Sequence, residues 1–233
     1  MSQSDFIKEL EKLGIIVTNK KLQQLEQYYD LLIEYNKSIN LTRITEKEEV
    51  YLKHFYDSLT LIKSIDLNKQ ETLCDLGSGA GFPGIVIKIF YPNLKITLID
   101  SLNKRIKFLK IIINELKLEE IDAIHTRIED YSKKNKEKFD VVTARAVAPL
   151  NILLELGINL VKKHKYFIAM KGNIENEQNY ENSLKILNCK LIGIIKFKLP
   201  YEYSNRCLIK IEKENSTPKL FPRKYSDIKK KPL

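Results

Sequence analysis

The chain has 233 residues, of which 43% are hydrophobic and 30% charged, and its formal net charge is +10 at pH 7. This composition predicts a globular protein of one α/β domain with an addition, and the excess positive charge favours an anionic partner such as RNA. No apolar run approaches the roughly 20 residues of a membrane span, and the first residues are charged, so we expect neither a membrane segment nor a signal peptide.

The cysteines indicate the compartment. Cys74, Cys189 and Cys207 are scattered without the spacing of a zinc site. We therefore expect buried, reduced thiols of a cytoplasmic protein and no metal centre. Nothing in the sequence indicates an obligate dimer, so we expect a monomer.

The first part of the chain, residues 1–65, has the periodicity of helices. Apolar residues recur there at helical spacing from Asp5 to Ser64, and Thr18 or Asn19 is a candidate N-cap of a long helix. We interpret this segment as an N-terminal helical extension.

Strands and helices alternate in the second part, residues 66–214. The predicted strands are 72–76, 94–99, 121–126, 139–144 and 165–170, and the predicted helices are 83–91, 103–117, 149–162 and 174–187. Two late runs, 190–199 and 206–212, are predicted to form an antiparallel pair. The alternation predicts an α/β fold, a Rossmann-like doubly wound sheet of the class I methyltransferase type with a terminal antiparallel hairpin.

The third part, residues 215–233, is a basic tail. Its last fifteen residues contain six basic side chains against a single acid, Asp227. We expect the tail to pack on or near an RNA-binding face, with Arg223 and Lys224 as RNA-binding residues. The alternative is a tail that only increases solubility.

The segment from Asp75 to Gly84 is the most informative motif. A buried strand ends in an acid, the chain continues through Gly77, Gly79 and Gly81, and a helix begins near Pro83. Glycine permits a positive φ and a close approach of the backbone to a ligand, and proline suits the first turn of a helix. This pattern predicts a nucleotide-type cofactor site.

Two cofactors fit the glycine pattern. Residues 79–84 satisfy G-x-G-x-x-G, and Asp100 lies about 20 residues further on, as in a dinucleotide site. Asp75 at the strand end favours S-adenosyl-L-methionine instead, because an acid suits its cationic methionine end and repels a pyrophosphate. A dinucleotide, or a glycine turn without any ligand, remains an alternative.

Two more strand ends contribute candidate cofactor-binding residues, because ligands of such sheets lie beyond the carboxyl ends of the strands. Asp100 can accept hydrogen bonds from ribose hydroxyls, or it caps the next helix. Ile128 and Glu129 are expected beside an adenine, with the acid near its exocyclic amine, or they form a surface turn.

Arg145 ends the fourth strand among small alanines. Only six of the forty basic residues are arginine. An arginine at this position therefore indicates that the planar, forked guanidinium is needed to position the substrate or the cofactor. The alternative is an ion pair with a structural acid. Lys171 follows the next strand, and Lys104 and Arg105 open a helix, and we expect these three to bind RNA.

The fourth strand end also excludes some methyl acceptors. It lacks the Asp/Asn-Pro-Pro motif of enzymes that methylate amino groups of bases, and no cysteine is nearby to attack a pyrimidine ring. A ring nitrogen such as guanine N7 needs neither, because its lone pair carries no proton. We therefore expect no general base.

In eight segments the chain resembles the bacterial ribosomal small subunit methyltransferase G family, also called glucose-inhibited division protein B. The matching segments are Asn40-Leu41-Thr42, His54-Phe55-Tyr56-Asp57-Ser58-Leu59, residues 75–84, Lys104-Arg105 with Phe108-Leu109, Arg127-Ile128-Glu129, Ala144-Arg145-Ala146, Lys171-Gly172, and the tail from Thr217 to Leu233.

The resemblance implies methylation of guanine N7 in 16S ribosomal RNA with S-adenosyl-L-methionine. It also implies that Gly77, Phe82, Ile128, Glu129 and Arg145 contact the cofactor or lie beside it. The roles of His54 and Asp57 stay open between holding a ligand and local pairing. The alternatives are a methyltransferase for a small molecule or a protein, and a non-catalytic RNA-binding protein.

Overall fold

A computed structural model describes residues 1–177 and 179–233. The α-helices are Gln3–Lys12 (α1), Asn19–Ile39 (α2), Lys47–Val50 (α3), Asp57–Leu59 (α4), Gly84–Phe90 (α5), Asn103–Glu115 (α6), Ile128–Lys134 (α7), Leu150–Gly157 (α8), Tyr180–Ile186 (α9) and Tyr225–Lys230 (α10). The strands are Thr72–Leu76 (β1), Lys95–Asp100 (β2), Ile121–His125 (β3), Phe139–Arg145 (β4), Val161–Lys171 (β5), Cys189–Lys198 (β6) and Asn205–Lys213 (β7).

The strands form one seven-stranded sheet in the order β3-β2-β1-β4-β5-β7-β6. Strands β1 to β5 are parallel, and β7 runs antiparallel between β5 and β6. The strand order reverses between β1 and β4, which opens a crevice at the carboxyl ends of these two strands. The prediction of a doubly wound α/β sheet with a terminal antiparallel hairpin is confirmed.

The structure differs from the predicted elements in three stretches of the chain. The helix predicted at 149–162 ends at Gly157, and the chain enters β5 at Val161, because Val161 already pairs with Phe139. The helix predicted at 174–187 is a 3-10 turn, Ile174–Asn176, followed by α9, and residue 178 lies outside the described residues. The seven-residue helix α7 was not predicted, because its charged sequence resembles a turn.

The helical extension shares its core with the sheet. Thr18 is the N-cap of α2, as expected, and its hydroxyl accepts a hydrogen bond from the Lys21 N–H. A π-helical segment, Tyr51–Tyr56, connects α3 to α4 and is almost entirely buried. Tyr28 of α2 stacks on Phe82 of the glycine loop at a centroid distance of 5.4 Å. The extension therefore packs directly against the loop that the sequence identifies as the cofactor site.

The basic tail is folded against the domain. Phe221 and Ile228 are buried, and α10 packs against α8. The three cysteines are buried and unpaired. Within the described residues, the helices are all too short or too polar to cross a membrane.

We expect Gly84→Ala to reduce stability. A Cβ on Gly84 would overlap a methyl group of Leu98 and lie 2.8 Å from an Asp75 carboxylate oxygen. Overpacking of this kind costs about 1–3 kcal/mol in the free energy of unfolding, which urea titration followed by circular dichroism measures. Gly193→Ala in β6 is the matched control, because nothing lies within 4 Å of its added Cβ. Equal stability of the two variants would contradict this packing.

Candidate active site

The glycine loop between β1 and α5 is held by the strand beside it. The Ser78 N–H donates to the Ile99 carbonyl at 3.0 Å, and the Gly79 N–H donates to Asp100 Oδ2 at 3.0 Å. Gly77 has a φ of +66°, and a Cβ there would lie 2.7 Å from a methyl group of Val147. Only glycine fits this backbone conformation and this close approach.

Asp100 fixes the loop and also faces a cavity. Its Oδ1 accepts a hydrogen bond from the Leu102 N–H at 2.8 Å, and Arg105 Nη1 lies 3.3 Å from Oδ2. Both roles considered from the sequence are therefore compatible, because the side chain orders the start of α6 and still borders open space. A carboxylate oxygen accepts from more than one donor, so Asp100 keeps acceptor capacity that suits ribose hydroxyls.

Asp75 lies beneath the loop, which differs from its predicted contact with the cationic end of a cofactor. The residue is fully buried, and its Oδ2 accepts a hydrogen bond from the Gly84 N–H at 3.0 Å, at the start of α5. Burial raises the pKa of the Asp75 carboxyl to about 7, although the Gly84 N–H opposes that shift. The described residues supply no hydrogen-bond donor to its Oδ1. Asp75 therefore orders the backbone of the loop from below.

The first cavity, of about 280 Å³, lies at the crevice and gathers four of the nine predicted cofactor residues, Gly77, Asp100, Ile128 and Glu129. It is lined by Gly77, Asp100, Ser101, Arg105, Arg127, Ile128, Glu129, Ala146, Val147, Ala148, Leu156 and Tyr225. Ile128 and Glu129 are the first residues of α7, where helical N–H groups lack partners inside the helix. The cavity thus combines apolar walls, two carboxylates and backbone donors.

These residues fit an adenosine-type cofactor. The apolar side chains Ile128, Val147 and Leu156 suit the faces of a purine, and the carboxylates of Asp100 and Glu129 suit hydroxyl and amine donors. The Arg105 guanidinium contacts Asp100, and Arg127 Nη1 lies 3.9 Å from Glu129 Oε1, so each guanidinium of this cavity is near a carboxylate that offsets its charge toward a pyrophosphate. The donor and acceptor set is therefore better suited to S-adenosyl-L-methionine than to a dinucleotide.

Arg145 is paired with a buried acid. Its Nη1 donates to Asp57 Oδ2 at 2.9 Å and to the Lys53 carbonyl at 3.0 Å. Arg206, at the start of β7, donates from Nε to Asp57 Oδ1 at 3.0 Å. The Asp57 side chain is only 6% exposed, so the two guanidinium groups enclose its carboxylate. Together the three charges leave one net positive charge beside the crevice.

His54 supports this cluster in its neutral form. Burial, and to a lesser degree the Arg145 guanidinium, lowers the pKa of His54 to about 3. Its Nδ1 lies 3.2 Å from Arg145 Nη2, a donor, and 3.1 Å from the Lys53 carbonyl, an acceptor. Its Nε2 lies 2.9 Å from the Thr42 hydroxyl, which can donate or accept, so both ring nitrogens are engaged in either neutral tautomer. His54 also stacks on Phe82, with the ring centroids 4.4 Å apart.

The cluster borders a second cavity of about 330 Å³. Its walls include Arg145, Arg206, Lys171, Met170 and Phe197, and Ala146 belongs to both cavities. The fourth strand therefore ends between the two cavities, with its small alanine as their shared boundary.

Four predicted cofactor residues line neither cavity: Asp75, Gly79, Gly81 and Phe82. Phe82 is buried between Tyr28 and His54, and the Arg145 guanidinium lies 5.3 Å from its ring centroid. A Cβ on Gly81 would lie 2.5 Å from the Tyr28 hydroxyl, so glycine is needed there for packing. Phe82 and Gly81 therefore shape the loop from its buried side, where it packs against the helical extension.

Three of the five predicted RNA-binding residues have partners inside the protein. Arg105 pairs with Asp100, Lys171 Nζ contacts the Ala148 carbonyl and Glu177 Oε1 at 2.6 Å each, and Arg223 pairs with buried Glu155. Their charges are compensated by these partners, so the structure favours structural roles over phosphate contacts. Lys104 and Lys224 are exposed.

Two site residues escaped the sequence analysis. Arg206 was one of the six arginines, but it lies in the second strand of the hairpin, far along the chain from Asp57. Tyr225 lies in a segment interpreted as an RNA-binding tail. The scarcity of arginine was the one sequence signal that pointed to Arg206. No signal in the sequence pointed to Tyr225.

The sequence matches a known family over most of its length. Residues 21–197 match the family model described as rRNA small subunit methyltransferase G. The chain is 47% identical to the Ribosomal RNA small subunit methyltransferase G of Bacillus licheniformis, with 100% of this chain and 99% of that protein covered. It is 46% identical to the protein of the same name from Bacillus subtilis, with the same coverage.

Solved structures share the fold at low sequence identity. A SAM dependent methyltransferase from Aquifex aeolicus superimposes with a TM-score of 0.50 at 17% identity, covering 71% of this chain and 93% of that one. M. jannaschii TYW2 in complex with AdoMet gives a TM-score of 0.53 at 18% identity, covering 67% of this chain and 76% of that one. At such identities these structures establish the fold alone.

We expect His54 to make the protein less stable in acid. Its pKa is about 3 in the folded state and near 6.5 in the unfolded state, so only the unfolded state gains its proton as the pH falls through that window. The free energy of unfolding therefore falls below pH 6.5 by about 1.4 kcal/mol per pH unit from this residue, and it levels off near pH 3.

Urea titrations between pH 7 and pH 4 measure this effect as the difference between the wild-type protein and His54→Gln. The variant should have the shallower pH dependence. His164→Gln is the control, because the His164 side chain is 74% exposed, and it should follow the wild type. Parallel curves for the wild type and His54→Gln would contradict the buried neutral histidine.

Proposed function

The chain belongs to the rRNA small subunit methyltransferase G family, a family of methyltransferases that act on 16S ribosomal RNA, and from this we propose that it methylates N7 of a guanine there. The observation that carries the proposal is the pair of adjoining cavities that share Ala146. One cavity offers the carboxylates and apolar walls suited to an adenosine, and the other offers the guanidinium groups suited to a guanine or its phosphate.

The first cavity is proposed to hold S-adenosyl-L-methionine. When bound, this cofactor supplies an activated methyl group on a positively charged sulfur. Asp100 would accept from the ribose hydroxyls, Ile128 would cover the base, and Glu129 would accept from its amine. Gly77 leaves the backbone accessible, and Asp100 holds the loop through the Gly79 N–H.

The second cavity is proposed to hold the target guanine. Arg145 and Arg206 line it and carry donors that suit guanine O6 or a phosphate, and Phe197 and Met170 supply apolar surface. The N7 atom itself must stay free to attack, so neither arginine is proposed to bind it. The proposal assigns Arg145 to the substrate, whereas the sequence analysis had also suggested a contact with the cofactor.

The proposed reaction requires orientation and no general base. Guanine N7 has a free lone pair, and both ring nitrogens of neutral His54 are engaged by Arg145 and Thr42. The rate gain would come from holding N7 in line with the methyl group, as proximity and orientation allow. Asp57 would act indirectly, because its buried carboxylate fixes both arginines.

The partner is proposed to meet an exposed basic surface that includes Lys104 and Lys224. A net charge of +10 favours association with RNA before specific contacts form. The cytoplasmic location and the monomeric state stay predictions from the sequence.

Methyl transfer from labelled S-adenosyl-L-methionine tests the proposal. The acceptors are small ribosomal subunits and naked 16S RNA from a strain lacking this gene, and mass mapping identifies the product. A single 7-methylguanosine would support the proposal. Methylation of another atom would overturn the N7 assignment, and labelling of only a small molecule or a protein would favour that alternative class. Binding of both cofactor and RNA without transfer would indicate the non-catalytic alternative.

We expect Arg145→Lys to separate substrate positioning from cofactor binding. Lysine keeps the charge but cannot contact Asp57, the Lys53 carbonyl and the His54 ring together. The kcat/KM for methyl transfer should fall by about 100-fold, a loss of about 2.7 kcal/mol in transition-state stabilisation. The affinity for S-adenosylhomocysteine, measured by calorimetry, should stay within about twofold, since each tenfold is about 1.4 kcal/mol.

The exposed arginine Arg43 supplies the matched control, and Arg43→Lys should keep both values. If Arg145→Lys instead lost cofactor affinity in proportion to its activity, Arg145 would belong to the cofactor site. Wild-type kinetics for this variant would remove Arg145 from the mechanism.

A further inference from the structure

The tail contributes a side chain to the first cavity. Tyr225 is the first residue of α10, and it lines the same space as Asp100, Ile128 and Glu129. Its side chain borders this space together with Leu156 of α8, the helix against which α10 packs. Tyr225 is 38% exposed, so the protein covers more than half of the residue. A segment that the sequence assigned to RNA therefore forms part of the wall of the cofactor cavity.

A buried ion pair holds the tail in this position. Glu155 of α8 is fully buried, and Arg223 donates to it from the backbone N–H at 3.0 Å, from Nε at 2.7 Å and from Nη2 at 2.6 Å. Arg223 Nη2 also donates to the Lys231 carbonyl at 3.0 Å, beyond the end of α10. The same arginine therefore contacts both α8 and the far end of the tail helix.

Apolar contacts and the chain terminus complete the attachment. Phe221 and Ile228 are buried on either side of Tyr225 in the sequence. The Leu233 carbonyl accepts a hydrogen bond from the buried Ser183 hydroxyl at 3.2 Å. Tyr225 thus lies between two fixed points, which limits the positions that its ring can adopt.

We propose that Tyr225 is a cofactor-binding residue whose ring contacts the adenine side of S-adenosyl-L-methionine, and that the Glu155–Arg223 pair positions it. The proposal rests on the function proposed above. The tail lies outside residues 21–197, which match the family model, so the contact is inferred from this chain alone.

The neighbours of Tyr225 indicate the adenine side. Helix α10 packs on α8, and α8 packs on α7, whose first residues Ile128 and Glu129 are proposed to contact the base. The glycine loop lies at the end of β1 and bounds the cavity through Gly77. An aromatic ring in the same wall as Ile128 and Leu156 can cover a purine, and stacking on an aromatic side chain stabilises a bound base.

Calorimetric titration of the full-length protein tests the contact. S-adenosylhomocysteine and 5′-methylthioadenosine are the ligands, since the second has the adenosine part and lacks the amino-acid part. Tyr225→Ala should weaken both by the same factor of about tenfold. Tyr225→Phe keeps the ring and should bind within about twofold of the wild type. Lys229→Ala, on the exposed side of the same helix, is the control and should not change either affinity.

The positioning role is tested by combining variants. Arg223→Lys keeps the charge and loses the fork contact with Glu155, and it should weaken S-adenosylhomocysteine about threefold or more by displacing Tyr225. In the Tyr225→Ala background, Arg223→Lys should change the affinity for S-adenosylhomocysteine little further, because the ring that Arg223 positions is absent. Additive losses would overturn the positioning role of the pair.

The outcomes separate this inference from the proposed function. Wild-type affinity of Tyr225→Ala for both ligands would overturn the inference and leave the proposed function standing. Failure of the wild-type protein itself to bind S-adenosylhomocysteine would overturn the proposed function first. Urea titration of each variant without ligand checks the fold. If Tyr225→Ala does not fold, Tyr225→Leu replaces it as the test. This variant keeps an apolar side chain and should still lose affinity for both ligands.

Discussion

The enclosed carboxylate of Asp57 is the interaction on which the active-site region depends. It accepts hydrogen bonds from Arg145 at the end of β4 and from Arg206 at the start of β7. Three distant parts of the chain therefore meet at one buried acid. Removing one partner from a buried ion cluster leaves an uncompensated charge, which typically costs about 3–5 kcal/mol. The extension, the sheet and the hairpin meet at this acid, and residues of all three line the second cavity.

A second acid, Asp100, has the corresponding role for the first cavity. It holds the glycine loop through the Gly79 N–H and orders the start of α6 through the Leu102 N–H. The two cavities thus differ in their chemistry although they share Ala146. The first cavity balances the carboxylates of Asp100 and Glu129 against two guanidinium groups, whereas the second has two guanidinium groups and two lysines around the single carboxylate of Asp57. This division of charge is the physical basis for distinguishing a cofactor side from a substrate side.

Local features of this protein could be predicted from the sequence, and contacts between distant segments could not. The parallel strands, the N-cap at Thr18 and the tight turn at Gly77 follow from periodicity and from backbone conformation, which are local properties. The partners of Arg145 and Arg223 depend on which acids the fold brings near them. Asp75 illustrates the limit, because its position at a strand end suggested a ligand contact and its side chain turns instead toward α5.

The most direct test of the two-cavity account is a crystal structure of the protein with S-adenosylhomocysteine and guanosine monophosphate. The account predicts the adenosine beside Asp100, Ile128 and Glu129, and the guanine beside Arg145 and Arg206 with N7 directed toward the sulfur. An adenosine in the cavity lined by Arg145, or a guanine bound away from both arginines, would contradict it.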